Sequence, residues 1–353
     1  MSELPQFYLP DLFAQWPWPR LSNQHYEETK PEFDEWVRSL EALDAKSQSA
    51  FDRCNFALLS SIGHPLLDKE CFRVACDLMA LYFMYDEYTD KLDEEGVRTC
   101  ADLVLDALRS PHKERPQDES KLGEIARQFW LRAIKVASEG AQRRFIKSFA
   151  EYAYSIIEET SDRNAGRVRN ITDYLELRRR TAAVYSTLFL VELGIDIPDE
   201  VMTHPAMVSL LSLAIDPLML TNDLYSYNIE QAAGHGSHNF LTAIMNDKGV
   251  DLDEALDWFA EYNGTLLSKV QEQCRALPSW NPDIDPIVTT YVERLCYWLR
   301  GHDCWSFESG RYFGTKGPEI QKHRVVTLLP RSNGGSEVTP MMALPVDSTS
   351  GVD

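Results

Sequence analysis

Helix-period apolar spacing, interrupted again and again by breakers, constrains this chain more than any other feature. Apolar residues recur three and four apart over 33–45, 70–90, 97–109, 121–138, 141–161, 171–194, 205–230, 252–276 and 284–308. That spacing lays one apolar stripe along an α-helix. Between the stretches lie "GHP" at 63–65, "SPHKERP" at 110–116, "DRNAGRVRN" at 162–170, "IDIPDE" at 195–200, "AAGHGSHN" at 232–239 and "PSWNPDIDP" at 278–286. Such clusters end helices and turn the chain. No alternating run of β-branched residues competes. The pattern predicts an all-α fold of about ten helices in a single domain. Residues 1–22, with "LPDLFAQWPWPR", read as an extended lead-in strapped on the body. Residues 23–330 form the helical domain, and 331–353 have the composition of a disordered tail.

The charge balance narrows function. Acidic residues number 55 against 35 basic ones, a net charge of −20. That argues against a general nucleic-acid binder, whose affinity rests on Lys and Arg. It leaves room for a small anionic ligand reached through metal ions held by acids. The seven cysteines include no CxxC pair and no Cys/His cluster at zinc spacing, so free thiols in a reducing compartment are expected. "MSELPQFYLPDLFAQ" is no signal peptide by pattern. No apolar run reads as long enough to span a bilayer, so no stable membrane insertion and a soluble, cytoplasmic protein are expected.

Four clusters carry chemistry. In "YFMYDEYTD" (82–90), Asp86 and Asp90 share a helix face with Met79 and Phe83. One stripe is thus apolar along its length and acidic at its end. Glu87 points to another face and needs no role beyond solvation. Taken alone, this DxxxD fits a surface helix end equally well. In "NDLYSYNIE" (222–230), Asn222, Ser226 and Glu230 follow at i, i+4 and i+8 after the apolar "LLSLAIDPLML". All three offer oxygen, which hard divalent cations prefer. Arg178, Arg179 and Arg180 lie in "YLELRRRTAAVY", and Arg311 and Tyr312 follow an aromatic run. Arginine forks suit phosphate oxygens, although surface salt bridges and a core-edge tyrosine would explain the same residues singly.

"DEYTD", "NDLYSYNIE" and the Arg-Tyr pair, in this order, resemble the motifs of class I terpene synthases, in particular fungal sesquiterpene synthases. The resemblance covers nearly the whole chain. It implies a helical bundle around a central apolar pocket, with farnesyl diphosphate as substrate and three Mg²⁺ ions, Mn²⁺ substituting. Asp86 would ligate two ions with Asp90 in support, and Asn222, Ser226 and Glu230 would hold the third. Arg178 would sense the diphosphate, with Thr181 and Ala182 at a helix break after it. Ala182 is a departure, because that position often carries glycine. Arg311 and Tyr312 would bind the diphosphate. Phe83 and Trp305 match aromatic pocket positions, with Tyr82 and Phe307 as further candidates. The glycine-bearing loop 231–240 offers His235, His238 and Asn239 as a lid over the site. A humulyl-type 1,11 closure, with protoilludene as one outcome, is the product expected, from a monomer or homodimer that binds no nucleic acid. Two alternatives stand beside this reading. A chain-elongating isoprenyl transferase would need a second DDxxD where this chain has Asn-Ser-Glu. A non-enzymatic helical scaffold would explain the helices but not the two ligand triplets.

Overall fold

The computed structural model describes residues 5–331. Along the chain come β1 (Gln6–Tyr8), α1 (Tyr26–Ser39), α2 (Ala45–Cys54), α3 (Phe56–Gly63), α4 (Lys69–Thr89) and α5 (Glu94–Arg109). Then follow α6 (Lys121–Ala133), α7 (Glu139–Asn164), α8 (Ile171–Thr181), α9 (Val184–Thr187), α10 (Phe189–Glu192) and α11 (Asp199–Met202). The last are α12 (Pro205–Ala233), α13 (Phe240–Lys248), α14 (Leu252–Arg275), α15 (Asp285–Glu308), α16 (Gly317–His323) and β2 (Val325–Thr327). All but Arg331 of the tail expected at 331–353 lies outside the described residues.

Local chemistry starts most of the long helices. Asp68, Asp93, Ser138 and Asn170 each accept a hydrogen bond from a backbone N–H in the first turn of α4, α5, α7 and α8. This satisfies a donor that the helix itself cannot pair. Asp251 and Glu254 close a reciprocal capping box on α14.

Several elements depart from the periodicity. The 46–62 region, given no helix by pattern, forms most of α2 and α3. Asn55 separates them with φ at 46° and caps α3 through its side chain. Asparagine tolerates this left-handed conformation better than most residues. Helix α13 follows directly on the expected loop. The stretch 171–194 is interrupted: α8 ends at Thr181 and Ala183 takes φ 58°, ψ 0° before α9. Alanine is the strongest helix former, so no breaker marks the spot. The pair β1–β2 is antiparallel, Phe7 opposite Val326, and three residues per strand are too few to show alternation.

The lead-in is held by specific bonds. The Trp16 indole N–H donates to the Cys296 carbonyl at 3.1 Å, and Arg300 donates to the carbonyls of Phe13, Trp16 and Trp18. Helix α12 amends one expectation. By length and composition it is apolar enough to cross a membrane, but 67% of its apolar window is buried inside the bundle. It is a core helix here. Helices α3 and α15 cross at two glycines. A Cβ on Gly301 would lie 2.3 Å from the Gly63 Cα, far inside any tolerable contact. Gly301→Ala should therefore cost at least about 1–3 kcal/mol of stability, read as a lower midpoint in denaturant. An unaltered midpoint would mean that α3 and α15 move apart at this crossing without cost.

Candidate active site

Helices α4, α12 and α15 change character in the same way along their length. On α4, Met79 and Phe83 give way to Asp86 and Asp90. On α12, Leu218 and Met219 give way to Asn222 and Glu230. On α15, Trp298 and Trp305 lead to Arg311 and Tyr312 just beyond the helix. All these residues line one cavity of about 270 Å³, near the lower end of the roughly 300–1,000 Å³ common for ligand sites. The polar ends meet one another. Asn222 Nδ2 donates to the Tyr312 hydroxyl at 2.7 Å, linking α12 to the segment after α15.

Each polar group has an identifiable environment. Asp86 accepts from the Tyr152 hydroxyl at 2.9 Å. Loss of water around it, then the neighbouring Asp90 carboxylate, push its carboxyl up to about 7. Desolvation also pushes Asp90 up to about 6, against the pull of Arg163, whose guanidinium lies 3.6 Å away. Glu230 is buried and reaches about 7, chiefly from burial and then from Asp223. Asn239 donates to its Oε2 at 2.9 Å. Ser226, one turn before Glu230, is buried, with its hydroxyl 3.4 Å from the Asp223 carbonyl.

Of the three consecutive arginines, Arg178 alone lines the cavity. Its Nε donates to Asp223 and its Nη2 to Asn222, both at 2.9 Å. Burial opposes its charge, but Asp223 and further acids outweigh that and raise its pKa. Arg179 pairs with Asp216 and Arg180 with Glu158, so both serve as ion-pair partners outside the site. Arg311 lines the cavity with its guanidinium carbon 5.4 Å from the Tyr312 ring centre. Burial pushes the Tyr312 phenol up to about 12, which keeps it a neutral hydrogen-bond donor.

Four expectations need correction. The left-handed residue of the helix break is Ala183, whereas Ala182 has φ −76° and is ordinary helical cap. Thr181, Ala182 and Ala183 all line the cavity. Glu87 is buried, accepting from the Ser47 hydroxyl at 2.7 Å and pairing with Lys91; it ties α4 to α2 and is not solvated. Phe307 lies away from the cavity, stacked on Phe313 with centroids 5.3 Å apart. Tyr82, by contrast, lines the cavity. Asn239 is no mobile lid residue: it is fully buried, caps α13 through Leu241 and holds the Asp223 carbonyl. His235 and His238 do line the cavity, and His238 Nε2 sits 3.3 Å from Glu159.

Other residues enter the site unannounced. Glu159 and Arg163 sit one turn apart near the end of α7 and line the cavity with Tyr152. Burial opposes the charge of Glu159, but His238 and Arg178 outweigh it and hold its carboxyl below the usual value. The i, i+4 spacing of Glu159 and Arg163 was the available signal, but many surface helices share it. Asp223 is the other omission. It sits inside "NDLYSYNIE" yet off the face of Asn222, Ser226 and Glu230, and it anchors both Arg178 and the Tyr174 hydroxyl.

The donor set suits a hard divalent cation. Among the described residues, no three His, Cys, Asp or Glu side chains converge to hold a metal by themselves. The available donors are oxygens from carboxylates, an amide and a hydroxyl on two helices. Burial chiefly, with neighbouring acids adding to it, pushes their carboxyls up and leaves a deficit of positive charge when they ionise. A cation sharing its shell with ligand oxygens would meet that deficit.

Comparison with known proteins gives the same direction. The family model "Terpene synthase family 2, C-terminal metal binding" matches residues 77–266. Delta(6)-protoilludene synthase 18 of Postia placenta is 45% identical over 330 residues, 94% of each chain. Delta(6)-protoilludene synthase of Armillaria gallica is 45% identical over 326 residues, 92% of this chain and 94% of its own. Among solved structures, a cucumene synthase variant superposes with a TM-score of 0.75 at 21% identity, covering 84% of this chain and 100% of that one. An α-eudesmol synthase reaches 0.74 at 19% identity, covering 85% and 100%. At such identities the structural likeness speaks for the fold. The family model spans more than half of the sequence, and the curated relatives align along nearly all of it, so the chain belongs to the terpene synthase family.

Proposed function

We propose that this protein is a sesquiterpene synthase that ionises farnesyl diphosphate, cyclises the resulting cation and releases a hydrocarbon and diphosphate. The observation that carries this reading is the meeting of acids, arginines and Tyr312 in a cavity whose remaining wall is largely apolar and aromatic. Relatives named as sesquiterpene and protoilludene synthases support it. They also weigh against chain elongation, and the convergence of so many polar groups weighs against a scaffold.

Each residue has a task in this reading. Asp86, with Asp90 in support, and Asn222, Ser226 and Glu230 would hold three Mg²⁺ ions, Mn²⁺ substituting. Bound metal supplies Lewis-acid stabilisation to the departing diphosphate. Arg178 and Arg311 donate to the diphosphate oxygens as negative charge develops on them, and Tyr312 adds a neutral donor. Arg178 is held in place by Asp223 and Asn222, so it need not reorganise during ionisation. Thr181 and Ala182 form the wall beside it, with His238 across the mouth. The apolar wall keeps water from the cation, and Phe83 and Trp305 present aromatic faces to it. The Trp305 ring is fixed by its N–H bond to the Cys54 carbonyl at 2.7 Å. On the same reading the enzyme works in the cytoplasm as a monomer or homodimer, and its product arises by 1,11 closure, protoilludene being one candidate.

The test is direct. Purified protein with farnesyl diphosphate and Mg²⁺ should release diphosphate and one or a few volatile hydrocarbons by gas chromatography, and chelation should stop both. Longer diphosphates made with added isopentenyl diphosphate would instead favour elongation. No diphosphate release at all would end the reading.

Two predictions follow from the cavity. Phe83→Leu keeps bulk but removes a π-face that is worth about 0.5–2 kcal/mol to a cation. The product profile should shift several-fold toward less cyclised species; an identical profile would make Phe83 mere packing. The second concerns pH. Burial pushes the folded carboxyls of Asp86 and Glu230 up to about 7, above their ordinary values of 3.8 and 4.5. Their contribution to stability is therefore fully present below the unfolded values and lost as pH rises through about 7. The metal-free protein should melt lower at pH 8 than at pH 5.5 on their account. Added Mg²⁺ should raise the melting temperature far more at pH 8, where the ligands are ionised. Equal shifts at both pH values would exclude these carboxylates as ligands.

A further inference from the structure

His302 lines the apolar part of the cavity and is only 8% exposed. It lies on α15 between Trp298, whose ring centroid is 6.4 Å away edge-on, and Trp305 at 6.1 Å. Its Nδ1 is buried without a hydrogen-bond partner. A buried polar atom left unpaired is destabilising, a cost that an apolar residue of similar size would avoid. Nothing in the tasks assigned above uses this side chain.

The surroundings keep the ring neutral. Burial alone pushes the imidazole down to about 4, with no charged neighbour contributing. A neutral imidazole carries one lone pair able to accept a proton. The diphosphate-binding groups lie elsewhere. His302 is six residues before the end of α15, roughly 9 Å of helix rise, and Arg311 comes beyond that end. His302 therefore lies along α15 away from the end of the cavity where Arg311 and Tyr312 stand.

We propose that His302 is the base that ends the cyclisation. This rests on the sesquiterpene synthase reading. A C–H bond next to the cationic carbon breaks, its electron pair forms the C=C bond of the product, and the proton goes to whichever imidazole nitrogen carries no hydrogen. A carbocation is so strong an acid that even a weakly basic imidazole suffices. The resulting imidazolium is disfavoured in its apolar setting, so it passes its proton to water when product leaves and the cavity wets. His302 thereby selects the position of the final double bond.

The test uses the whole enzyme with Mg²⁺ and farnesyl diphosphate. His302→Phe keeps an aromatic ring without a lone pair, and His302→Leu is a second apolar replacement. The readout is the wild-type principal hydrocarbon formed per diphosphate released, which is independent of overall rate. The ratio should fall about tenfold or more in both variants. Both should also converge on the same replacements, namely alcohols from water capture and alkenes deprotonated elsewhere. A retained ratio in either folded variant would overturn the proposal, as would two unrelated product sets, which would mark His302 as a shape determinant. If wild-type protein releases no diphosphate, the sesquiterpene synthase reading fails first, and that outcome is distinguishable from any change confined to the variants.

Discussion

Asp86→Ala should lower turnover of farnesyl diphosphate by at least about 10³-fold, roughly 4 kcal/mol at the barrier, while leaving the fold as stable as before or more so. The two halves of this expectation have one cause. Asp86 is a carboxylate pushed up to about 7 by desolvation and by Asp90. The metal-free protein therefore carries a group whose charge its surroundings resist. Removing it relieves that cost, but in the proposed function it also removes a metal ligand from the site where the leaving group's charge must be balanced. Asp90→Ala should reduce turnover less, because Arg163 already claims part of that carboxylate. Diphosphate release under saturating Mg²⁺, together with a thermal melt, tests both halves. An Asp86→Ala variant with full turnover would remove the metal assignment of α4. One that loses both turnover and stability would mean that Asp86 supports the fold through Tyr152.

What could be read from the chain depended on how each residue announces itself. Asp86, Asn222 and Glu230 were legible because helix spacing projects a local pattern onto one face, and the apolar residues before them set the contrast. Arg178 stood among three arginines, and helix spacing could not tell which one enters the cavity; only the family resemblance singled it out. That choice depends on where α8 lies against α12, a tertiary fact. Arg179 and Arg180 went instead to Asp216 and Glu158. The resemblance placed a break at Thr181 and Ala182, but that Ala183 takes the left-handed turn was not legible, because alanine favours helix and the packing around it overrides that preference. The burial of Glu87 depends on Ser47, forty residues earlier in the chain. Asn239 looked like a flexible loop residue among glycines, yet its amide ties the end of α12 to the start of α13. The helical architecture was visible because periodicity is local. The β1–β2 pair was not, because its strands stand more than three hundred residues apart and are too short to have a period.

Asp223→Ala should do the reverse of Asp86→Ala and destabilise the protein by about 3–5 kcal/mol. Asp223 is buried and serves Arg178, the Tyr174 hydroxyl at 2.5 Å and the backbone N–H of Phe240. It joins α8, α12 and the start of α13 at one carboxylate. Its removal would strand a buried guanidinium and a buried phenol without their acceptor. A guanidinium does not neutralise itself by losing a proton, so that cost cannot be relieved by titration. Turnover should fall as well, because Arg178 would lose the contact that aims it at the diphosphate. Denaturant unfolding reads the stability term, and the Mg²⁺-dependent release of diphosphate reads the other. A midpoint within about 0.5 kcal/mol of wild type would mean that Arg178 finds a new partner, with Glu159 the nearest acid by its influence on that arginine. The contrast between two aspartates separates two uses of acid in one cavity. Asp223 has its positive partner within the fold, so folding depends on it. Around Asp86 a tyrosine hydroxyl donates, Asp90 and Glu159 resist its charge and Arg311 offsets them least, so in the proposed function a metal ion would supply the balance.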